Sequence, residues 1–142
     1  MPHSFFGSLL TLFFGAWLIS ATPAPYPVSY RGGVGREIYT RLTLLGPDAY
    51  TYNEWTHAGY SVHDSGHYTL RNQRLLLTSI HTLHKRTIWK RMKGRRRLMD
   101  AAPKYRPLFR HTTAQLNADT ILITKRRVLV NQEFNMFLVK DK

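Results

Sequence analysis

The chain has 142 residues, 21 Lys and Arg against 8 Asp and Glu, a formal net charge of +13, and no cysteine. That length fits one domain, and 43% hydrophobic residues, with 8 Tyr, 7 Phe and 3 Trp, supply a core and exclude wholesale disorder. Without cysteine there is no disulfide-linked partner, thiolate metal site, cysteine nucleophile or lipid-modified cysteine, while the charge favours anionic partners and says nothing about fold.

Residues 1–30 carry no Lys, Arg, Asp or Glu. The apolar run FFGSLLTLFFGAWLIS, residues 5–20, is followed by the small residues and prolines of ATPAPYP. This is the outline of a secretory signal over residues 1–24, although MPHS lacks the usual basic residue and neither Ala21 nor Ala24 offers an ideal cleavage site. A short uncleaved membrane anchor is the second reading, though a spanning helix needs about 20 apolar residues. A buried helix of the domain is the third. Residues 25–35 read as a flexible linker, because proline excludes the helix. RGGVGRE, residues 31–37, lacks the Gly-Lys-Ser/Thr ending of a phosphate loop and reads as part of that flexible stretch.

From residue 36 to 142 the dominant period is two, the signature of a single antiparallel β-domain. Ile38, Thr40, Leu42 and Leu44 share one face. GPDA, residues 46–49, is a turn, and YTYNEWT returns with Tyr50, Tyr52 and Glu54 on one side. HAGYSVHDSG, residues 57–66, reads as a loop or a ragged hairpin end. SGHYTLRNQRLLLTS, residues 65–79, is a hairpin in which Asn72 suits a positive φ and Gln73 does not, which points to a longer loop. ITKRRVLV, residues 123–130, repeats the layout of LRNQRLLL, residues 70–77, and suggests a further hairpin; EFNMFLVKDK is a last strand. The middle, residues 80–109, reads as a long strand through Trp89, a turn centred on Gly94 and an extended segment broken by Pro103 and Pro107; a helix over 83–93 is the alternative. About seven such strands form an all-β antiparallel meander closing into a small barrel or a sandwich.

These elements resemble the small exported, lipocalin-like β-proteins of gram-negative bacteria. The residues that carry the resemblance are Gly66, Tyr68 and Leu70, then Leu75, Leu77 and Thr78, and the terminal aromatic strand from Phe137 to Lys140. It covers roughly residues 36–79 and 119–142. It implies an extracytoplasmic (periplasmic or secreted), non-enzymatic domain that binds a small apolar ligand or an envelope protein, and it brings no catalytic residues and no cofactor. The basic middle departs from the pattern.

That middle is the densest chemical signal. Residues 85–110 hold 11 of the 21 Lys and Arg and a single acid, Asp100. Lys85, Arg86, Lys90, Arg91, Lys93, Arg95, Arg96 and Arg97 are the candidate polyanion-binding residues, with Trp89 and Tyr105 placed to stack beside phosphate contacts. The expected partner is nucleic acid, lipopolysaccharide, an acidic glycan or an anionic lipid surface; a solvated or aggregation-blocking segment is the bland alternative. His57, His63, His67, His81 and His84 read as scattered loop and strand histidines rather than metal ligands. Ser61, His63, Asp64 and Ser65 read as a polar loop rather than a triad. Tyr39, Tyr50, Tyr52, Trp55, Tyr60, Tyr68, Phe134 and Phe137 read as core, with a ligand pocket as the alternative.

Overall fold

Alternation at period two leaves no apolar helical stripe from Val28 to Lys140, and the chain folds as nine antiparallel strands without a helix among the described residues. The computed structural model describes residues 25–129 and 132–142, side chains at 125–129 and 132 excepted. The signal or anchor expected over 1–24 lies outside these residues.

The strands are β1 (Val28–Val34), β2 (Ile38–Leu44), β3 (Ala49–Thr56), β4 (Tyr60–Arg71), β5 (Arg74–Met92), β6 (Arg95–Asp100), β7 (Thr112–Asn117), β8 (Thr120–Leu129) and β9 (Gln132–Lys140). Their order is β4-β3-β2-β1-β9-β8-β7-β5-β6, and β4 also pairs with β5. That last pairing closes a barrel of eight strands and leaves β6 outside it. Of barrel and sandwich, the chain adopts the barrel, in which each of the eight strands has a neighbour on both sides, and only β6 ends the sheet.

The interior follows the pattern of the sequence. Ile38, Thr40, Leu42 and Leu44 point inward from β2, and Tyr50, Tyr52 and Glu54 from β3. Leu75, Leu77, Ala114, Ile121, Ile123, Met136 and Leu138 complete the layer, all fully shielded from solvent. Each large aliphatic side chain buried this way contributes roughly 1.5–3 kcal/mol. Along β5 the inward positions change phase, from Leu75 and Leu77 to Thr82 and His84. A bulge makes the change: Ser65 pairs with His81 and Gly66 with Ser79, so Ile80 is the extra residue and stands in solvent. Gly66 is required there, because a Cβ would lie 2.0 Å from the Thr78 carbonyl oxygen.

Four expectations are corrected. Residues 28–34, expected within a flexible linker, form β1 and pair with both β2 and β9, so the first and last strands are neighbours in the barrel wall. The loop expected at 57–66 is a short turn followed at once by β4. Asn72 and Gln73 make a two-residue turn with φ of 48° and 62°, both in the left-handed region, which the closing strands impose on Gln73 despite its side chain. The layout shared by 70–77 and 123–130 does not mean a shared hairpin: β8 continues as one strand to Leu129, with irregular register against β9 between Ile123 and Arg126 and between Arg127 and Leu129. The meander expected at about seven strands has nine, β1 and β7 being the two that the period did not mark.

Candidate functional site

β5 is 19 residues long, and only its first part belongs to the barrel wall. β4 covers it as far as Arg86, and from Thr87 to Met92 it pairs with β6 alone. The result is a two-stranded ribbon standing off one end of the barrel. Lys93 and Gly94 turn it, with φ of 46° and 76°. A hairpin of this size is marginal in isolation. Here it grows out of a closed sheet, and its foot is tied by the Ala101 N–H to the Arg86 carbonyl at 2.8 Å and by the Thr87 N–H to the Gly59 carbonyl at 2.9 Å.

Cross-strand register assigns the ribbon two faces. Trp89 opposes Leu98 and Arg91 opposes Arg96 on one; Ile88 opposes Met99, Lys90 opposes Arg97 and Met92 opposes Arg95 on the other. Every residue of β6 is exposed. Each face carries an open concavity: about 530 Å³ beside Trp89, Arg91, Gly94 and Arg96, and about 420 Å³ beside Met92, Lys93, Arg95 and Arg97. The apolar rungs lie toward the barrel and the cationic rungs toward the tip. Among the described residues the ion pairs formed are those of Arg31 and Arg41 with Asp141, and no hairpin cation takes part in one. The ribbon therefore presents six uncompensated charges, Lys90, Arg91, Lys93, Arg95, Arg96 and Arg97, on three successive rungs and the turn that joins them.

The structure gathers those six of the eight candidate residues on the ribbon. Lys85 and Arg86 stay on the barrel wall just below it, both exposed. Trp89, marked by the sequence, is 68% exposed at the base of the first face. Tyr105 is separate: it lies on the returning segment, its ring 5.9 Å from that of His81.

Sequence reasoning missed a second construction, inside the barrel. The segment 101–111 returns along the free edge of β5, between β6 and β7, and inserts Phe109 into the interior. The Phe109 ring meets Tyr52 edge-on at 5.1 Å and Tyr50 at 6.1 Å. Fully buried Asp64 accepts hydrogen bonds from the Tyr50 hydroxyl at 2.7 Å, from Ser79 at 3.0 Å, and from Thr82. Ser79 and Thr82 in turn accept the N–H groups of Phe109 and Leu108, at 2.8 and 3.2 Å. Burial pushes the Tyr50 hydroxyl well above its ordinary pKa, and the Asp64 charge adds to the effect. Further out, His84 donates from Nε2 to the Arg106 carbonyl at 3.0 Å, which leaves Nδ1 to accept from Tyr60 at 3.0 Å. His84 is thus a clamp on the returning segment. Asp64 lay in a stretch that read as a loop, so spacing alone did not mark it as inward; its place opposite Tyr52 follows from register.

The remaining flagged groups disperse. His63 points outward to Asn53 and His57 to Tyr39. Ser61 and Ser65 leave the inward face to Val62 and Asp64. Of the aromatics, Tyr50, Tyr52 and Tyr68 are core, whereas Tyr39, Trp55 and Phe137 stand outside. No family model matches the chain, and no curated protein or solved structure matches it either.

Proposed function

We propose that the protein is a polyanion-binding module whose contact element is the β5–β6 hairpin. One observation carries this reading: six unpaired cations are concentrated on a ribbon whose strand β6 contributes nothing to the core. The order of the rungs supports a phosphate or sulfate polymer over insertion into a bilayer. A hairpin that enters hydrocarbon needs its apolar residues outermost, and here a single apolar residue, Met92, stands at the tip among Arg91, Lys93, Arg95 and Arg96. A two-stranded ribbon is also of a width that a nucleic-acid groove admits.

The test is a titration of labelled nucleic acid and of heparin against the full chain at several salt concentrations. With six or more phosphate contacts, affinity falls by about a thousandfold or more between 50 and 200 mM salt. Replacing Arg95, Arg96 and Arg97 with Ala lowers the salt slope by about three contacts. Unchanged binding by that variant sinks the proposal.

The carrier reading, an exported lipocalin-like domain for a small apolar ligand or envelope partner, draws support from the closed eight-stranded barrel, a size that either fills its interior or holds one small ligand. It requires Phe109 to withdraw from between Tyr50 and Tyr52. Native mass spectrometry of protein from its own cell tests it: a bound small molecule supports the carrier, and a bare chain removes that support.

A further inference from the structure

The outer wall of the barrel carries aromatic side chains that the core does not use. Following register from strand to strand, Phe137 on β9 lies opposite Gly33 on β1, Gly33 opposite Tyr39 on β2, Tyr39 opposite Trp55 on β3, Trp55 opposite Ser61 on β4, and Ser61 opposite Lys85 on β5. Every inward neighbour of this row is accounted for by the interior, so the row faces solvent: Phe137 is 60% exposed, Trp55 45% and Tyr39 36%. The Tyr39 and Trp55 rings stack, 5.8 Å apart and 15° from parallel. Gly33 leaves a gap between Tyr39 and Phe137. A side chain there is excluded by backbone, since a Cβ would sit 1.8 Å from the Ile38 carbonyl oxygen.

Two strand spacings, about 9.6 Å of backbone, separate β2 from β9, so Phe137 and the Tyr39–Trp55 pair are separate platforms on the outer wall, with Gly33 between them. At its other end the row reaches Lys85, and from there the outward residues of β5 continue through Thr87 to Trp89 and Arg91 on the first face of the hairpin. Aromatic row and cationic ribbon are thus continuous in register around the outside of the barrel. The row from Phe137 to Lys85 spans five strand spacings, about 24 Å along the sheet.

We propose that this surface binds single-stranded nucleic acid, with bases stacked along Phe137, Tyr39 and Trp55 and the backbone drawn toward Lys85 and the hairpin. The inference rests on the polyanion reading and adds the identity of the polymer. Charge alone suits any polyanion. Exposed rings in register with that charge favour a polymer that offers unpaired bases to stack on them, as single strands do.

The experiment is anisotropy at fixed salt with three probes: labelled oligo-dT of about 20 nucleotides, a duplex of that length, and heparin. Tyr39→Ala, Trp55→Ala and Phe137→Ala each weaken oligo-dT binding by roughly fivefold or more, the range stacking on one ring commands, and leave duplex and heparin affinities within about twofold. Trp55→Phe, which keeps a ring, retains most of the oligo-dT affinity; it also guards against misreading a folding defect. If oligo-dT affinity is unchanged in all three alanine variants while heparin still binds, the platform is refuted and the hairpin reading survives. If no probe binds at low salt, the hairpin reading falls and takes this one with it. If the alanine variants turn a dimer into a monomer in sedimentation, the row is covered by a second copy of the chain, and the platform is again refuted.

Discussion

Ser79 and Phe109 hold each other through two hydrogen bonds: the Ser79 N–H donates to the Phe109 carbonyl at 2.9 Å, and the Phe109 N–H donates to the Ser79 hydroxyl at 2.8 Å. An irregular segment is thereby fixed to the barrel wall with its ring directed inward. Phe109→Ala removes that ring from contact with Tyr50 and Tyr52 and costs about 3–5 kcal/mol. Urea denaturation measures the loss. The vacated space is apolar on two sides, so the variant also gains binding of small aromatic molecules, visible as a ligand-dependent rise in Tm.

Asp64 accepts from Tyr50, Ser79 and Thr82 and is fully buried. Asp64→Ala strands three hydroxyls and costs at least about 3 kcal/mol. Because Ser79 and Thr82 hold the N–H groups of Phe109 and Leu108, the damage is directional. Amide exchange at 108 and 109 accelerates more than at Leu138 on β9, four strands from β4 around the barrel. Uniform acceleration throughout the barrel would count against this role for Asp64.

Burial raises the hydroxyl pKa of Tyr30, Tyr50 and Tyr68 above the ordinary 10.0. Below pH 10 both the folded and the unfolded chain keep these protons, and the stability is fully present. Above it the unfolded chain releases them and the folded chain does not, so stability falls by about 1.4 kcal/mol per pH unit for each such tyrosine. The urea midpoint is then level from neutral pH to about 9 and drops beyond 10. Tyr50→Phe makes that drop shallower. A midpoint that holds steady in strong alkali contradicts the burial argument.

Thr87 and Asp100 form the rung at which the ribbon leaves the barrel. Excising Ile88–Met99 and joining these two through Asn-Gly removes residues that are exposed throughout β6. Stability changes by less than about 1 kcal/mol, as for other surface changes. Polyanion affinity is lost. A chain that no longer folds would show that the hairpin supports the barrel, which its exposure argues against.

Much of the barrel was legible because period two survives wherever one face of a strand is buried. Ile38 to Leu44 and Tyr50 to Glu54 read inward and outward correctly from spacing alone. The long strand through Trp89 and the turn at Gly94 were legible too. β1 was not, because Pro25, Pro27, Gly32, Gly33 and Gly35 look like linker chemistry; the strand exists because β2 and β9 supply partners on both edges. The phase change at Ile80 was hidden, since a bulge adds one residue without altering composition. Phe109 was unreadable as core, because it sits between prolines and arginines in a segment with no period at all. The candidate cations were visible as a charge run. That they share a ribbon, and that Tyr39, Trp55 and Phe137 align beside it, follows only from register.

β5 passes from the barrel wall into the hairpin without interruption. A flexible basic tail of similar charge would have to become ordered on meeting its partner, at about 1–2 kcal/mol per residue of backbone entropy. This prong is already ordered before any encounter, so the cost of organising it falls on folding and is absent from binding. Association should then be governed by electrostatic steering, with an on-rate that is high at low salt and declines steeply as salt is added, and with no slow isomerisation following the first collision.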